Sequence, residues 1–555
     1  MPASVTRRAP ARPVGPRLHA DRYGAAISSI VLAGSVSAAL ALVVLLLPPS
    51  GTDLAAQVAR ADFWSASGAA SYDLRWYGGV HPAAYSVLAP PLMALLGVRL
   101  AGALAAVAAA VLLATLLARA GVARPRLGAA WGAVALVANL VSGRVTFGIG
   151  TAVGLAALLA LPPRRSESAG RVAAAAALAV LTVLVSPVAG LFVGLAGLAL
   201  AGTGRHREGV ALVLGAALPL VAVQLAFPDG GTMPFAWRVA WPPLLSGLAV
   251  ALLVPPTARA VRLGALVYAA GVFAAFLLPT ALGSNAERLG LLLAGPLLAA
   301  MARAPAVVLV PVLAVTAYWS AQPARIDLRY ADDPARHPAY SAGLVAELHR
   351  RGAGAGRIEV VPQRNHWESA VVARDFRLAR GWERQLDLAR NPLFYRGRLT
   401  APAYRAWLAS QAVGYVALAD MPLDWAANAE AELLGVGQPW LELVWSDTHW
   451  RLWRVVGATP LADAPASVLA AGANWLTVRV PAPGRVLIRV HWSPWLAVRG
   501  PAGCLRRAGD RAVLEARAPG TYRIGAGAAP HLGSACRWRR PHAAFSAATH
   551  QMPPR

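Results

Sequence analysis

Residues Ala25 to Leu47 form a predominantly apolar run without a charge. The chain leaves it through Gly51-Thr52-Asp53-Leu54 and then meets Trp76-Tyr77-Gly78-Gly79-Val80-His81-Pro82. A run of that length crosses a bilayer as one helix. Its apolar core is too long for a secretory signal, and more apolar spans follow. Asp53 therefore stands at the mouth of a first membrane helix, in a loop (48–97) that closes with the amphipathic run Ala83 to Gly97. An acid in that position, followed by a His-Pro-led run, suits chemistry, and little else in the membrane half does.

Composition supports the same class. The chain has 555 residues, 57% of them apolar, and mean hydropathy is +0.51. Apolar runs of about 18 or more residues repeat through the first 320 positions, which marks an integral membrane protein. Net charge is +26, yet all 52 basic residues are Arg. Absence of Lys beside abundant Ala, Gly and Leu fits a GC-rich coding bias, as in actinobacteria. The basicity is therefore no argument for nucleic acid, and none is expected as a partner. Arg falls mostly in short loops between spans, where topology explains it.

Residues 1–24 read as a basic cytoplasmic tail, which sends the end of the first span outward. Continuing that rule through 25–320 gives about eleven spans with the chain leaving on the outer side. Every short loop with more than one Arg then falls on one side, while Arg144, Arg238 and Arg288 fall on the other. Beyond 320 charges and Trp rise and span-length runs cease. Residues 321–460 mix helical and strand patterns, and 461–540 alternate as a β-sandwich-like module does. Residues 541–555 are a tail. The expected fold is thus an α-helical polytopic membrane domain followed by an extracytoplasmic α+β domain with a β-sandwich-like end. Cys504 and Cys536 are the two cysteines. In an oxidising compartment they suit one disulfide, while two unpaired buried thiols are the alternative.

A general base for activating a hydroxyl is an ionised carboxylate or a His within hydrogen-bond reach. The outer-side pool in the membrane half is Asp53, Asp62, Asp73, Asp229, Glu287 and His81. Asp53 is best placed, just beyond the membrane exit; its structural alternative is an N-cap for a helix starting at Leu54. Asp73, Tyr77 and His81 are substrate-binding candidates from the same loop, although Asp73 equally suits a loop or cap. His81-Pro82 suits a helix start with Pro at its first position. A second polar turn, Gly283 to Gly290, offers Asn285 and Arg288, and another outer loop offers Arg238 between Trp237 and Trp241. Arg binds phosphate bidentately, or merely anchors a helix end at the headgroups. Trp faces suit sugar rings, but most Trp are core residues. No His/Cys cluster has metal-ligand spacing, and no phosphate-cradling Gly-rich loop with a Lys occurs. No cofactor is expected, and the need for a divalent metal stays open.

The order of these features resembles the GT-C superfamily of membrane glycosyltransferases. Asp53 matches its outer-loop acid and His81-Pro82-Ala83-Ala84-Tyr85 its juxtamembrane motif. The second Pro often found there and the paired acid motif are missing. More narrowly, Thr52-Asp53, Trp76-Tyr77-Gly78-Gly79, Tyr85 to Pro90 and Gly283-Ser284-Asn285 look like an actinobacterial branch of large membrane proteins. The resemblance implies a multi-pass cell-membrane enzyme moving sugar from a polyprenyl-phosphate donor to an extracytoplasmic envelope glycan or lipid. Asp53 would be the base, and Arg288, with Arg238, would neutralise the phosphate. A transporter or flippase is the rival, although no repeat and no acid deep in a span supports it. A non-catalytic envelope scaffold is the third reading.

Overall fold

The computed structural model describes residues 16–163, 168–395 and 397–530. The chain opens with α1 (Pro16–Leu46), α2 (Leu54–Ser67), α3 (Pro82–Tyr85), α4 (Ala89–Leu96) and α5 (Val98–Arg119). It continues through α6 (Pro125–Val141), α7 (Val145–Ala160), α8 (Ala169–Val185), α9 (Pro187–Ala201) and α10 (His206–Ala226). Then come α11 (Trp237–Leu253), α12 (Arg259–Leu277), α13 (Glu287–Met301) and α14 (Ala306–Arg329). α1 and α5 to α14 occupy the segments that hydropathy marks as spans. Among them α1, α5, α10, α12 and α14 are individually long and apolar enough to cross a membrane. The chain is a multi-pass membrane protein.

The two ends of this bundle differ in chemistry. At one end arginines donate to the last carbonyls of neighbouring helices: Arg119 to Leu159 O at 2.8 Å, Arg262 to Ala251 O at 2.7 Å, and Arg124 to Ala302 O. Helix C-termini leave carbonyls unpaired, and cations there are favourable. At the opposite end, which holds the site, Arg144 and Arg288 face carboxylates, while Arg99 donates to Leu47 O at the end of α1. Between the ends, Gly128 and Gly132 let α6 pack tightly. A Cβ on Gly128 would lie 2.7 Å from Ala300 Cβ, and one on Gly132 2.6 Å from Leu113. Small residues four apart are a usual route to close packing in lipid.

Three local details depart from the sequence expectation. The run after His81 is two short helices, because Ser86 is extended (φ −165°) and Pro90 restarts the helix in its first turn. Helix α11 begins at Trp237 and runs through Pro242 and Pro243, so Arg238 lies in its first turn, exposed. Helix α14 continues past residue 320 to Arg329, carrying Asp327 with it.

The second half contains helices α15 (Pro338–Arg350), α16 (Arg384–Arg390), α17 (Ala401–Gln411) and α18 (Asn428–Val436). With them go strands β1 (Arg357–Val360), β2 (Val413–Ala419), β3 (Leu441–Ser446) and β4 (Trp450–Val455), in sheet order β1-β2-β4-β3. Only the β1–β2 pair is parallel. Then follow β5 (Ser467–Ala471), β6 (Trp475–Val480), β7 (Gly484–His491), β8 (Leu496–Arg499), β9 (Gly503–Ala508), β10 (Arg511–Ala516) and β11 (Gly520–Ala526). They form a three-stranded sheet (β7-β10-β9) and a four-stranded one (β5-β6-β11-β8), with Val478, Ile488, Leu514 and Ile524 in one shared core. Alternating burial along β6 and β7 is what two facing sheets demand. Cys504 is buried on β9; Cys536 and the tail 541–555 lie outside the described residues.

The loop after α2 joins the two units of the second half. Tyr72 and Leu74 sit in the sandwich core, whereas Trp76, Tyr77 and Val80 sit in the core of the α/β unit. The crossing needs Gly79, whose φ is +125° and whose added Cβ would stand 2.3 Å from the Tyr72 ring. Gly79→Ala is therefore expected to cost both backbone strain and overpacking, each about 1–3 kcal/mol. Gly68 also has positive φ (+59°) but open space around it. Thermal midpoints in detergent should fall clearly further for Gly79→Ala than for Gly68→Ala; equal falls would show that the loop does not bridge the cores under load.

Candidate active site

A cavity of about 700 Å³ opens between the carboxylate-facing end of the bundle and the second half of the chain. Its floor includes Asp53, Gln57, Arg144, Asn285 and Arg288, and its roof is Trp382 to Gln385. Asp53 occupies the N-cap position of α2, yet its side chain makes no capping bond. Its carboxylate instead accepts from Arg288 Nη2 at 3.3 Å and lies 3.7 Å from Arg144 Nε. Arg144 also stands 3.9 Å from Glu287, and Asp327 Oδ1 accepts from the Thr52 amide at 3.4 Å. These contacts are long. A guanidinium carries several fixed donors, so both arginines retain capacity for an incoming oxyanion.

A second polar group borders the first. Thr146 donates to Gln57 Oε1 at 2.5 Å, and Gln57 Nε2 donates to Tyr85 OH at 3.1 Å. Arg60 lies 3.6 Å over the Tyr85 ring and pairs with Glu383 at 3.0 Å. Burial raises the Glu383 pKa, and Arg60 only partly offsets that. The roof is tied to the floor directly, by Trp382 Nε1 donating to Thr52 O at 2.7 Å. On its other face Trp382 stacks on His366, with ring centroids 3.5 Å apart and an interplanar angle of 10°. His366 is buried in the left-handed region (φ +56°), between Glu368 and Asp424.

Of the residues singled out in the sequence, Asp53, Asn285 and Arg288 line this cavity. Asp73, Tyr77, His81 and Arg238 do not. Asp73 is bound to Arg75, whose Nη2 also donates to Ala59 O at 2.8 Å on α2. The Tyr77 hydroxyl donates to Gly381 O at 2.7 Å and accepts from the Glu383 amide at 3.1 Å, holding the roof from behind. His81 Nδ1 meets Asp229 at 2.7 Å and its Nε2 meets Ser493 Oγ at 2.8 Å, which ties the wall residue Asp229 to the sandwich. These loop residues position walls rather than face the cavity, because the loop carrying them is buried between two cores. Arg238 is exposed at the start of α11, outside the cavity.

Sequence reasoning passed over Arg60, took Tyr85 only as part of the juxtamembrane motif and Glu287 only as one of several possible bases. It assigned no role to Arg144, Asp327 or Trp382, the last lying in a polar run that a solvated helix face explains as well as a site does. One available signal was the placement of Arg144 and Glu287 on the same side as Asp53. Among the described residues no group of three or more His, Cys, Asp or Glu is arranged to hold a metal ion. A second cavity, about 480 Å³ and almost wholly apolar, runs between α5, α7, α9, α11, α12 and α13. It reaches Leu117 and Met301 near the arginine-rich end, and Phe147 lines both cavities. Arg288 stands 5.5 Å over that Phe147 ring.

A family model described as a domain of unknown function (DUF8823) matches residues 463–540, the sandwich. No curated protein matches the chain. Among solved structures the chain is similar to ArnT from Cupriavidus metallidurans in the apo state, at 14% identity over 77% of this chain and 98% of that one, with a TM-score of 0.45. It is also similar to ArnT from that organism bound to undecaprenyl phosphate, at 14% identity over 80% and 99%, with a TM-score of 0.35.

His366 gives the roof a pH signature. Burial pushes its imidazole pKa down, but the neighbouring carboxylates of Asp424 and Glu368 outweigh this and leave it raised. A raised folded-state pKa stabilises fully below the unfolded value, near 6.5, and the gain is lost as pH rises through the raised value. The thermal midpoint of the wild type should therefore fall from about pH 6.5 upward, and His366→Gln should flatten that fall. Parallel pH curves for the two proteins would refute the assignment.

Proposed function

We propose that the chain is a membrane glycosyltransferase of the GT-C type that uses a polyprenyl-phosphate-linked sugar as donor. The observation that carries this reading is the meeting of Asp53 and Arg288 in a cavity that borders, through the shared lining residue Phe147, an apolar groove in the bundle. A polyprenyl phosphate has the matching form: an anionic head on a long apolar chain. Its chain would lie in the groove, where burial stabilises by about 25 cal/mol per Å² of apolar surface. Its phosphate would meet Arg288 and Arg144, whose forked donors suit phosphate oxygens.

Asp53 then stands where an acceptor hydroxyl would approach. Its carboxylate takes the hydroxyl proton as the hydroxyl oxygen bonds to the anomeric carbon. The bond from that carbon to the phosphate oxygen breaks with its electron pair, and the configuration inverts. Polyprenyl phosphate leaves, its charge met by the two arginines, which supply fixed positive charge where negative charge develops. Donor binding must loosen the 3.3 Å Asp53–Arg288 contact, and this frees the carboxylate to act. The outer face of the cell membrane is the expected site of transfer, with an envelope glycan or lipid as acceptor.

Asp53→Asn keeps the shape of the site and removes the base, a change worth roughly 10²–10⁴-fold in rate. Because it also removes the carboxylate that competes for Arg288, binding of undecaprenyl phosphate should be equal to or tighter than wild type. Arg288→Ala should weaken that binding. In a deletion strain, wild type but not Asp53→Asn should restore the missing glycan at equal membrane abundance. Restoration by both would remove Asp53 as the base.

A further inference from the structure

Among the described residues beyond 330, Trp425 is the only Trp, Tyr or Phe side chain that is exposed, at 62%. Its indole is nonetheless held in place. The Tyr395 ring stands edge-on to it with centroids 5.6 Å apart, and the Arg384 guanidinium lies 5.2 Å from its centroid. Asp424 accepts from Arg384 Nη1 at 3.0 Å and from the Ala426 amide at 2.9 Å, so it fixes both the arginine and the short turn that carries Trp425. The other side of Arg384 faces Trp382, 4.8 Å from that ring, and both Arg384 and Trp382 line the polar cavity. Trp382, Arg384 and Trp425 thus make one row from the cavity wall to the outer surface.

An indole face takes up the apolar C–H side of a sugar ring, while a guanidinium beside it donates to hydroxyls. A row that alternates the two, rigid before any ligand arrives, saves ordering cost on binding. An acceptor no longer than the cavity would have no use for its outer part. We infer that Trp382, Arg384 and Trp425 form the acceptor subsite, and that the acceptor is a saccharide chain. Its terminal sugar enters the cavity under Trp382 and the preceding sugars stack along Arg384 and Trp425. This rests on the glycosyl-transfer reading and adds the class of its acceptor.

The test is saturation-transfer NMR on the full-length protein in detergent, with neutral pyranose and furanose oligosaccharides of one to six units as probes. Wild type should bind longer chains more tightly than single sugars. Trp425→Ala should lose that chain-length gain, roughly tenfold in affinity, the range of one aromatic contact. Trp425→Phe should keep most of it. Because Trp425 is exposed, its thermal midpoint should stay at the wild-type value. No saccharide binding by the wild type, no dependence on chain length, or equal binding by Trp425→Ala would each overturn the inference. The same preparations titrated with undecaprenyl phosphate separate the two readings. If the lipid binds and needs Arg288 while saccharides fail, only the acceptor subsite falls. If the lipid fails to bind, the transfer reading falls first.

Discussion

The structure depends on a short loop that belongs to two cores at once. Tyr72 and Leu74 are buried in the sandwich, and Trp76, Tyr77 and Val80 in the α/β unit, only a few residues further on. Tyr72 and Leu74, two residues apart, share one face of an extended stretch, and the chain passes to the second core only from Trp76 onward. The turn Tyr77-Gly78-Gly79, all at positive φ, completes the crossover. Because the loop starts at α2 and ends at α3, it also ties both units of the second half to the helices of the first. The cavity walls inherit their positions from it: Tyr77 sets the roof, His81 sets Asp229, and Arg75 reaches α2.

Charges around the cavity come in two grades. Arg60 and Glu383, or His81 and Asp229, are buried and close, at 3.0 and 2.7 Å. Breaking such a pair leaves an uncompensated buried charge, which costs about 3–5 kcal/mol, so these pairs hold the scaffold. Asp53 with Arg144 and Arg288 is looser and a quarter exposed on the acid side. Coulomb attraction falls with distance, so these longer contacts are individually weaker than the close ones. Both grades line the same cavity, the long contacts at Asp53 and the close ones at Glu383 and Asp229.

Much of this was legible in the sequence, for reasons that particular residues make plain. Helix positions were readable because lipid forces long apolar runs, and because the arginine-rich turns mark one end of the bundle. Asp53 and Arg288 stood out because charge is scarce there. The roles of Tyr77 and His81 were not legible: a motif shows which residues are unusual, not which way they face. Trp382 and Glu383 lie more than three hundred residues from Asp53 and in a polar run that a solvated helix face explains equally well. Only the tertiary fold brings Trp382 to the Thr52 carbonyl.

That last contact bears on time as well as space. The floor of the cavity is complete once α13 and α14 are in the bilayer, but its roof is encoded some fifty residues further along the chain. The roof is positioned only when the α/β unit has folded on the loop 72–81, and Asp229 is fixed only when Ser493 has arrived. Closure of the cavity thus waits on the α/β unit and the sandwich, so in the order of the chain its floor precedes its roof.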